Sequence, residues 1–80
     1  MRKSIYSQRQ QRVREMLVEL RKSARLTQVE LAKKLSRPQS YVSNYERGER
    51  RVDLVELLEL AEVLNFDAAK FVRRLIRSAS

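Results

Sequence analysis

An all-α fold of five short helices is what this 80-residue sequence predicts, on three observations. It holds one glycine and one proline, which leaves few natural breaks and favours helix over most of the length. Apolar residues recur at spacings of three and four, the repeat of a helix with one buried stripe. Hydroxyl or carboxylate caps stand just ahead of two of these runs, each with a glutamate three residues later.

Residues 1–7 have weak periodicity and two cations, and read as a loose basic arm; the single domain follows over residues 8–80. The first helix is expected from about Ser7 to Ala24. Val13, Leu17, Leu20 and Ala24 form its stripe, Met16 borders it, and the charged residues take the solvated faces. Thr27 is a good N-cap and Glu30 completes a capping box, so the second helix runs from there to about Leu35 and buries Leu31, Ala32 and Leu35. Ser36-Arg37-Pro38 breaks it, because proline lacks a donor and restricts the residue before it. Proline also suits the first turn of a new helix. The third helix therefore spans about Pro38 to Arg47, with Gly48 as a left-handed stop.

Asp53 and Glu56 form a second capping box. The fourth helix follows, with Leu54, Leu57, Leu58, Ala61 and Leu64 as its buried stripe, Leu60 beside it, and Glu56, Glu59 and Glu62 on its solvated face. Asn65 ends it. The last helix starts near Asp67 and carries Phe71, Val72, Leu75 and Ile76.

Composition excludes several function classes. The absence of cysteine rules out disulfides and cysteine-ligated zinc. The absence of histidine removes the commonest general base and transition-metal ligand. No glycine-rich phosphate loop and no nucleophile beside a base are present, so no enzyme, no metal site and no cofactor are expected. No apolar run approaches the roughly 20 residues of a membrane span, and no leader pattern is seen. A cytoplasmic location is the default expectation.

The net charge is +8. It divides as +6 over residues 1–25, +3 over 26–52 and −1 over 53–80. The positive field thus surrounds the second and third helices, where it attracts polyanions. The third helix buries Val42 and Tyr45 and leaves Gln39, Ser40, Ser43 and Asn44 on its other face. Small amides and hydroxyls on a short helix suit it to reading base edges in a DNA major groove; the plainer reading is an ordinary solvated face.

The stretch from Leu26 to Leu35, followed by Ser40-Tyr41-Val42-Ser43-Asn44-Tyr45-Glu46-Arg47-Gly48, strongly resembles the helix-turn-helix of the lambda-repressor/Cro type, the Xre-like family, with the motif over residues 27–47. The likeness extends from about Leu17 to Phe71. It implies a five-helix lambda-repressor-like domain that binds double-stranded DNA. By that resemblance Gln39, Ser40, Ser43 and Asn44 read bases. Gln28 binds a phosphate at the start of the second helix and orients Gln39. Arg37, Tyr41, Arg47, Arg50 and Arg51 meet backbone phosphates. Arg21 and Glu46 form a partly buried structural ion pair.

Two departures from the family pattern stand out. Pro38 replaces the usual Ser or Thr cap of the recognition helix, and Ser36 stands where glycine is common, so a left-handed turn there carries a cost.

A sequence-specific transcriptional regulator, a homodimer on a palindromic operator, is the first functional expectation. A protein-interaction module on the same fold, antitoxin or coactivator-like, is the alternative. Phe71, Leu75 and Ile76, with Val55, Leu58 and Val63 of the fourth helix left over, are the expected dimer surface. The chain has no room for an effector domain, so no small-molecule ligand is expected.

Overall fold

A computed structural model describes residues 7–78 as five helices: α1 (Gln8–Ser23), α2 (Gln28–Leu35), α3 (Gln39–Glu46), α4 (Leu54–Leu64) and α5 (Ala68–Ser78). Apart from Ser7, the basic arm expected over residues 1–7 lies outside the described residues. Ser7 itself is the N-cap of α1, its hydroxyl accepting from the Gln10 amide at 3.0 Å.

Both capping boxes form. In each, the side chain of Thr27 or Asp53 accepts from the amide three residues on, and Glu30 or Glu56 reaches back to the cap. Pro38 occupies the N-cap of α3, one position earlier than expected, with extended backbone (ψ 154°) and no side-chain cap bond.

Helix ends are unusual in one respect. Arg25, Ser36, Gly48 and Asn65 all take positive φ, between 57° and 82°, and close the ends of α1, α2, α3 and α4. Three of the four carry a Cβ into a left-handed conformation. After α1, the amides of Arg25 and Leu26 donate back to the carbonyls of Lys22 and Arg21, and Arg25 occupies the turn residue. Arg25→Gly is therefore expected to raise stability by about 1 kcal/mol, visible as a higher melting temperature. Gly48→Ala is expected to lower stability. A Cβ there would add left-handed strain and approach the Arg14 guanidinium to 3.0 Å.

The core draws on every helix: Met16 and Leu17 from α1, Leu31 and Ala32 from α2, Tyr41, Val42 and Tyr45 from α3, Leu57, Leu60 and Leu64 from α4, Phe71 from α5. α2 packs on α3, α1 lies against α3 and α5, and α4 bridges α2 and α5. Met16 is fully buried, deeper than its expected place at the stripe's border, while Ala24 is the exposed C-cap.

α4 differs most from its expected pattern. Leu54 and Leu58 are 69% and 49% exposed, whereas Leu57, Leu60, Ala61 and Leu64 face inward. Its sequence is apolar on more than one face, and contact with α2 and α5 selects which face is covered. The same rotation buries Glu56, expected on the solvated face, at 7% exposure.

Candidate nucleic-acid interface

α3 is held in place at its inner face and at its C-terminal end. On its inner face Tyr41 and Tyr45 meet edge to face at 5.5 Å, with Val42 fully buried beside them. At its C-terminal end Glu46 receives both arms of Arg21: Nε to Oε2 at 2.7 Å and Nη2 to Oε1 at 3.2 Å. The side chains retain only 12% and 7% exposure. Arg21 Nη1 also donates to the Leu26 carbonyl at 2.8 Å, and Gln28 Nε2 donates to Glu46 Oε1 at 2.8 Å. The Arg21–Glu46 pair with Gln28 therefore joins α1, the approach to α2, α2 itself and α3. The structure brings Arg21 and Glu46 together and adds Gln28 to the pair. The Gln28 amide, which the family resemblance directs toward Gln39, here bonds Glu46.

With the inner face fixed, the outward face of α3 presents Gln39 and Ser40, both exposed, and Ser43 and Asn44, both half-buried. Ser43 Oγ donates to the Ser40 carbonyl at 3.4 Å. Asn44 Oδ1 accepts from Arg47 Nη2 at 2.6 Å. These four polar side chains lie on one surface of one helix, the arrangement needed to enter a groove.

The surrounding arginines are less free than their sequence suggests. Arg37 Nη2 donates to Glu59 at 2.8 Å, and its Nη1 lies 4.0 Å from Glu56. Arg50 forks onto Glu56 at 2.9 and 2.7 Å and also donates to the Arg51 carbonyl. The two guanidiniums cover the Tyr41 ring, at 4.5 and 4.8 Å from its centroid. Arg47 forks onto Glu49 with two bonds of 3.1 Å. Arg51 is exposed.

Two of the expected phosphate contacts are engaged within the fold. Tyr41 is a buried platform under two cations. Arg37 turns to the acidic start of α4. Arg50 likewise has a structural engagement that charge counting misses.

The electrostatics follow this pairing. Hydrogen bonds from Arg50 hold the Glu56 carboxyl below the usual range against the opposing effect of burial. Glu49 is lowered by Arg47, and Arg37 is raised chiefly by its bond to Glu59. Burial raises both tyrosines, Tyr45 most strongly. The Tyr45 hydroxyl and Arg37 Nε are buried without hydrogen-bond partners among the described residues.

Phe71, expected at a dimer surface, sits in the protomer's own core at 4% exposure, its ring 5.5 Å from that of Phe66. Leu75 packs partly on that core, and Val72 and Ile76 are exposed. Glu56 and Glu49 are the residues sequence reasoning missed. Glu56 had a signal in its capping-box position; Glu49 had none beyond its place after the glycine stop.

Among the described residues no group of three potential metal ligands converges, and no helix is long and apolar enough to cross a membrane. A helix-turn-helix family model matches residues 17–71. Among solved structures, an XRE-family like protein from Pseudomonas syringae pv. tomato str. DC3000 superposes with a TM-score of 0.83 at 36% sequence identity, covering 90% of this chain and 88% of that one. The comparison with curated proteins gives no significant match. With the family model spanning more than half of the sequence, this chain belongs to the Xre-type helix-turn-helix family of DNA-binding regulators.

Proposed function

We propose that the chain is a sequence-specific transcriptional regulator of the cytoplasm, which places α3 in the major groove of a palindromic operator. The outward face of α3 carries the reading. Gln39, Ser40, Ser43 and Asn44 offer amide and hydroxyl groups matched to base edges, and the packing of Tyr45 and Glu46 behind them holds the helix rigid. Gln28 lies at the N-terminus of α2, where open backbone amides favour a phosphate oxygen. Arg47 and Arg51, exposed around the turn after α3, supply charge for the backbone. Selection of binding sites from a random DNA pool tests this directly. Enrichment of one motif, bound more weakly as salt rises from about 50 to 200 mM, is the expected outcome. A pool that yields no motif, with affinity indifferent to salt, would falsify the reading and favour a protein partner instead.

Homodimerisation is the second part of the proposal. It rests on the apolar side chains left exposed on α4 and α5: Leu54, Val55, Leu58, Val72 and Ile76. A two-fold dimer sets two recognition helices about 34 Å apart, one turn of DNA, and so demands a palindromic site. Leu75 serves the internal core in part, so the cleaner disruption is Val72→Glu with Ile76→Glu, one helical turn apart on exposed positions. This pair is expected to give a folded monomer that binds the selected site poorly. Sedimentation showing a wild-type monomer at tens of micromolar, with single asymmetric sites selected, would remove the dimer and leave the fold assignment intact.

A further inference from the structure

We propose that Glu49, acting through Arg47, fixes the orientation of the Asn44 amide and so sets which base that residue reads. The inference rests on the DNA-reading role of α3 given above. It begins with the backbone at the end of that helix. Gly48, at φ +82°, lets the chain turn back, and its amide donates to the Tyr45 carbonyl at 3.1 Å. The next amide, that of Glu49, donates to the Asn44 carbonyl at 2.9 Å. This double bond pattern is a Schellman stop, and it anchors Glu49 to the very residue whose side chain faces outward.

The side chains then close a ring. Glu49 takes Nε and Nη2 of Arg47 in a fork, both at 3.1 Å. Arg47 Nη2 also reaches Asn44 Oδ1 at 2.6 Å, a short charge-assisted bond. Arginine has donors only, so the atom it meets on Asn44 must be the oxygen. An asparagine amide left to itself flips, presenting donors or an acceptor with similar ease. Here the oxygen is tied to a cation that is itself tied to a carboxylate on a fixed turn. The NH2 group is the free end. It offers donors to base acceptors in the major groove, such as guanine O6 and N7 or thymine O4.

Glu49 is therefore a positioning residue, and Arg47 serves base selection as well as charge. A carboxylate so close to the DNA backbone costs attraction for phosphate, and orientation of Asn44 is what that carboxylate supplies in return.

The test compares selected-site profiles of wild type, Asn44→Ala, Arg47→Met and Glu49→Ala on the full chain. Asn44→Ala identifies the base position that Asn44 reads. Glu49→Ala and Arg47→Met are expected to relax preference at that same position, by on the order of tenfold in discrimination, with preferences elsewhere retained. A loss of affinity in both variants with no relaxation at that position, or relaxation at other positions instead, overturns the proposal and leaves Arg47 as a phosphate contact. Side-chain amide NMR of the free protein supplies a reading independent of DNA. The Asn44 NH2 pair is expected to be ordered in wild type and to gain mobility in Glu49→Ala, with the backbone amide spectrum of α3 unchanged. Equal mobility in both proteins overturns the relay while leaving the DNA-binding reading standing. A wild type that selects no sequence overturns that reading, and this proposal with it.

Discussion

Arg21→Ala is expected to lower stability by about 3–5 kcal/mol, the usual cost of removing one half of a buried ion pair. The guanidinium makes three bonds: two to Glu46, and one to the Leu26 carbonyl just before α2. Its loss takes the main partner from the Glu46 side chain, which is only 7% exposed in the intact pair, and leaves Gln28 as the remaining side-chain partner. It also leaves a backbone carbonyl without that donor. Because the pair joins α1 to the end of the recognition helix, the damage is expected to extend to DNA binding at temperatures where the variant is still folded. Chemical denaturation measures the first effect, and a binding curve at 10 °C the second. A double variant, Arg21→Met with Glu46→Leu, is expected to recover much of the stability, since a matched apolar pair leaves no buried charge. An unchanged melting point in Arg21→Ala would show that the pair contributes nothing to the fold.

Glu56→Ala is expected to cost about 3 kcal/mol, at the lower end of that range because Arg50 keeps 39% of its side chain exposed. The residue has three engagements: it closes the α4 capping box through the Asp53 amide at 3.0 Å, anchors Arg50 over Tyr41, and lies 4.0 Å from Arg37 Nη1. Its carboxyl is held below the ordinary range by Arg50. A folded-state value below the unfolded one means that the stabilisation is fully present above the carboxylate range and is lost as pH falls through the depressed value. Thermal melts between pH 7 and pH 3 should show a smaller acid loss in Glu56→Gln than in wild type. Parallel curves for the two proteins would assign the acid sensitivity to other carboxylates.

Much of the fold was legible because the signals are local. Thr27 and Asp53 are caps with partners three residues on, and Gly48 is a stop whose geometry only glycine adopts without strain. The polar face of α3 was legible for the same reason, since its opposite face is marked by Val42 and Tyr45. The departures around α4 have one physical origin. α4 carries apolar residues on more than one side, so periodicity alone does not say which side meets α2 and α5. The expected stripe holds at Leu57, Ala61 and Leu64 and fails at its edge, where Leu54 and Leu58 are exposed and Glu56 is buried. The carboxylate partners of Arg37 and Arg50 are not legible for the same reason, because both depend on where the first turns of α4 lie in space. Arg25 in a left-handed turn was illegible for a different reason: its conformation is imposed by the bonds of Arg25 and Leu26 to the end of α1, against its own preference.

The pairing of Arg37, Arg47 and Arg50 with Glu59, Glu49 and Glu56 bears on how salt titrations of this protein should be interpreted. The slope of log affinity against log salt is commonly converted into a number of phosphates neutralised, about 0.9 per contact on duplex DNA. That conversion assumes that each cation arrives with its full charge available. Three of the arginines nearest the recognition helix arrive already balanced by carboxylates of their own chain. A phosphate that engages one of them competes with a tethered glutamate whose local concentration does not change with added salt. The apparent number of contacts will therefore fall below the number of arginines touching DNA. Glu59→Gln and Glu49→Gln would steepen the slope without adding a single new contact.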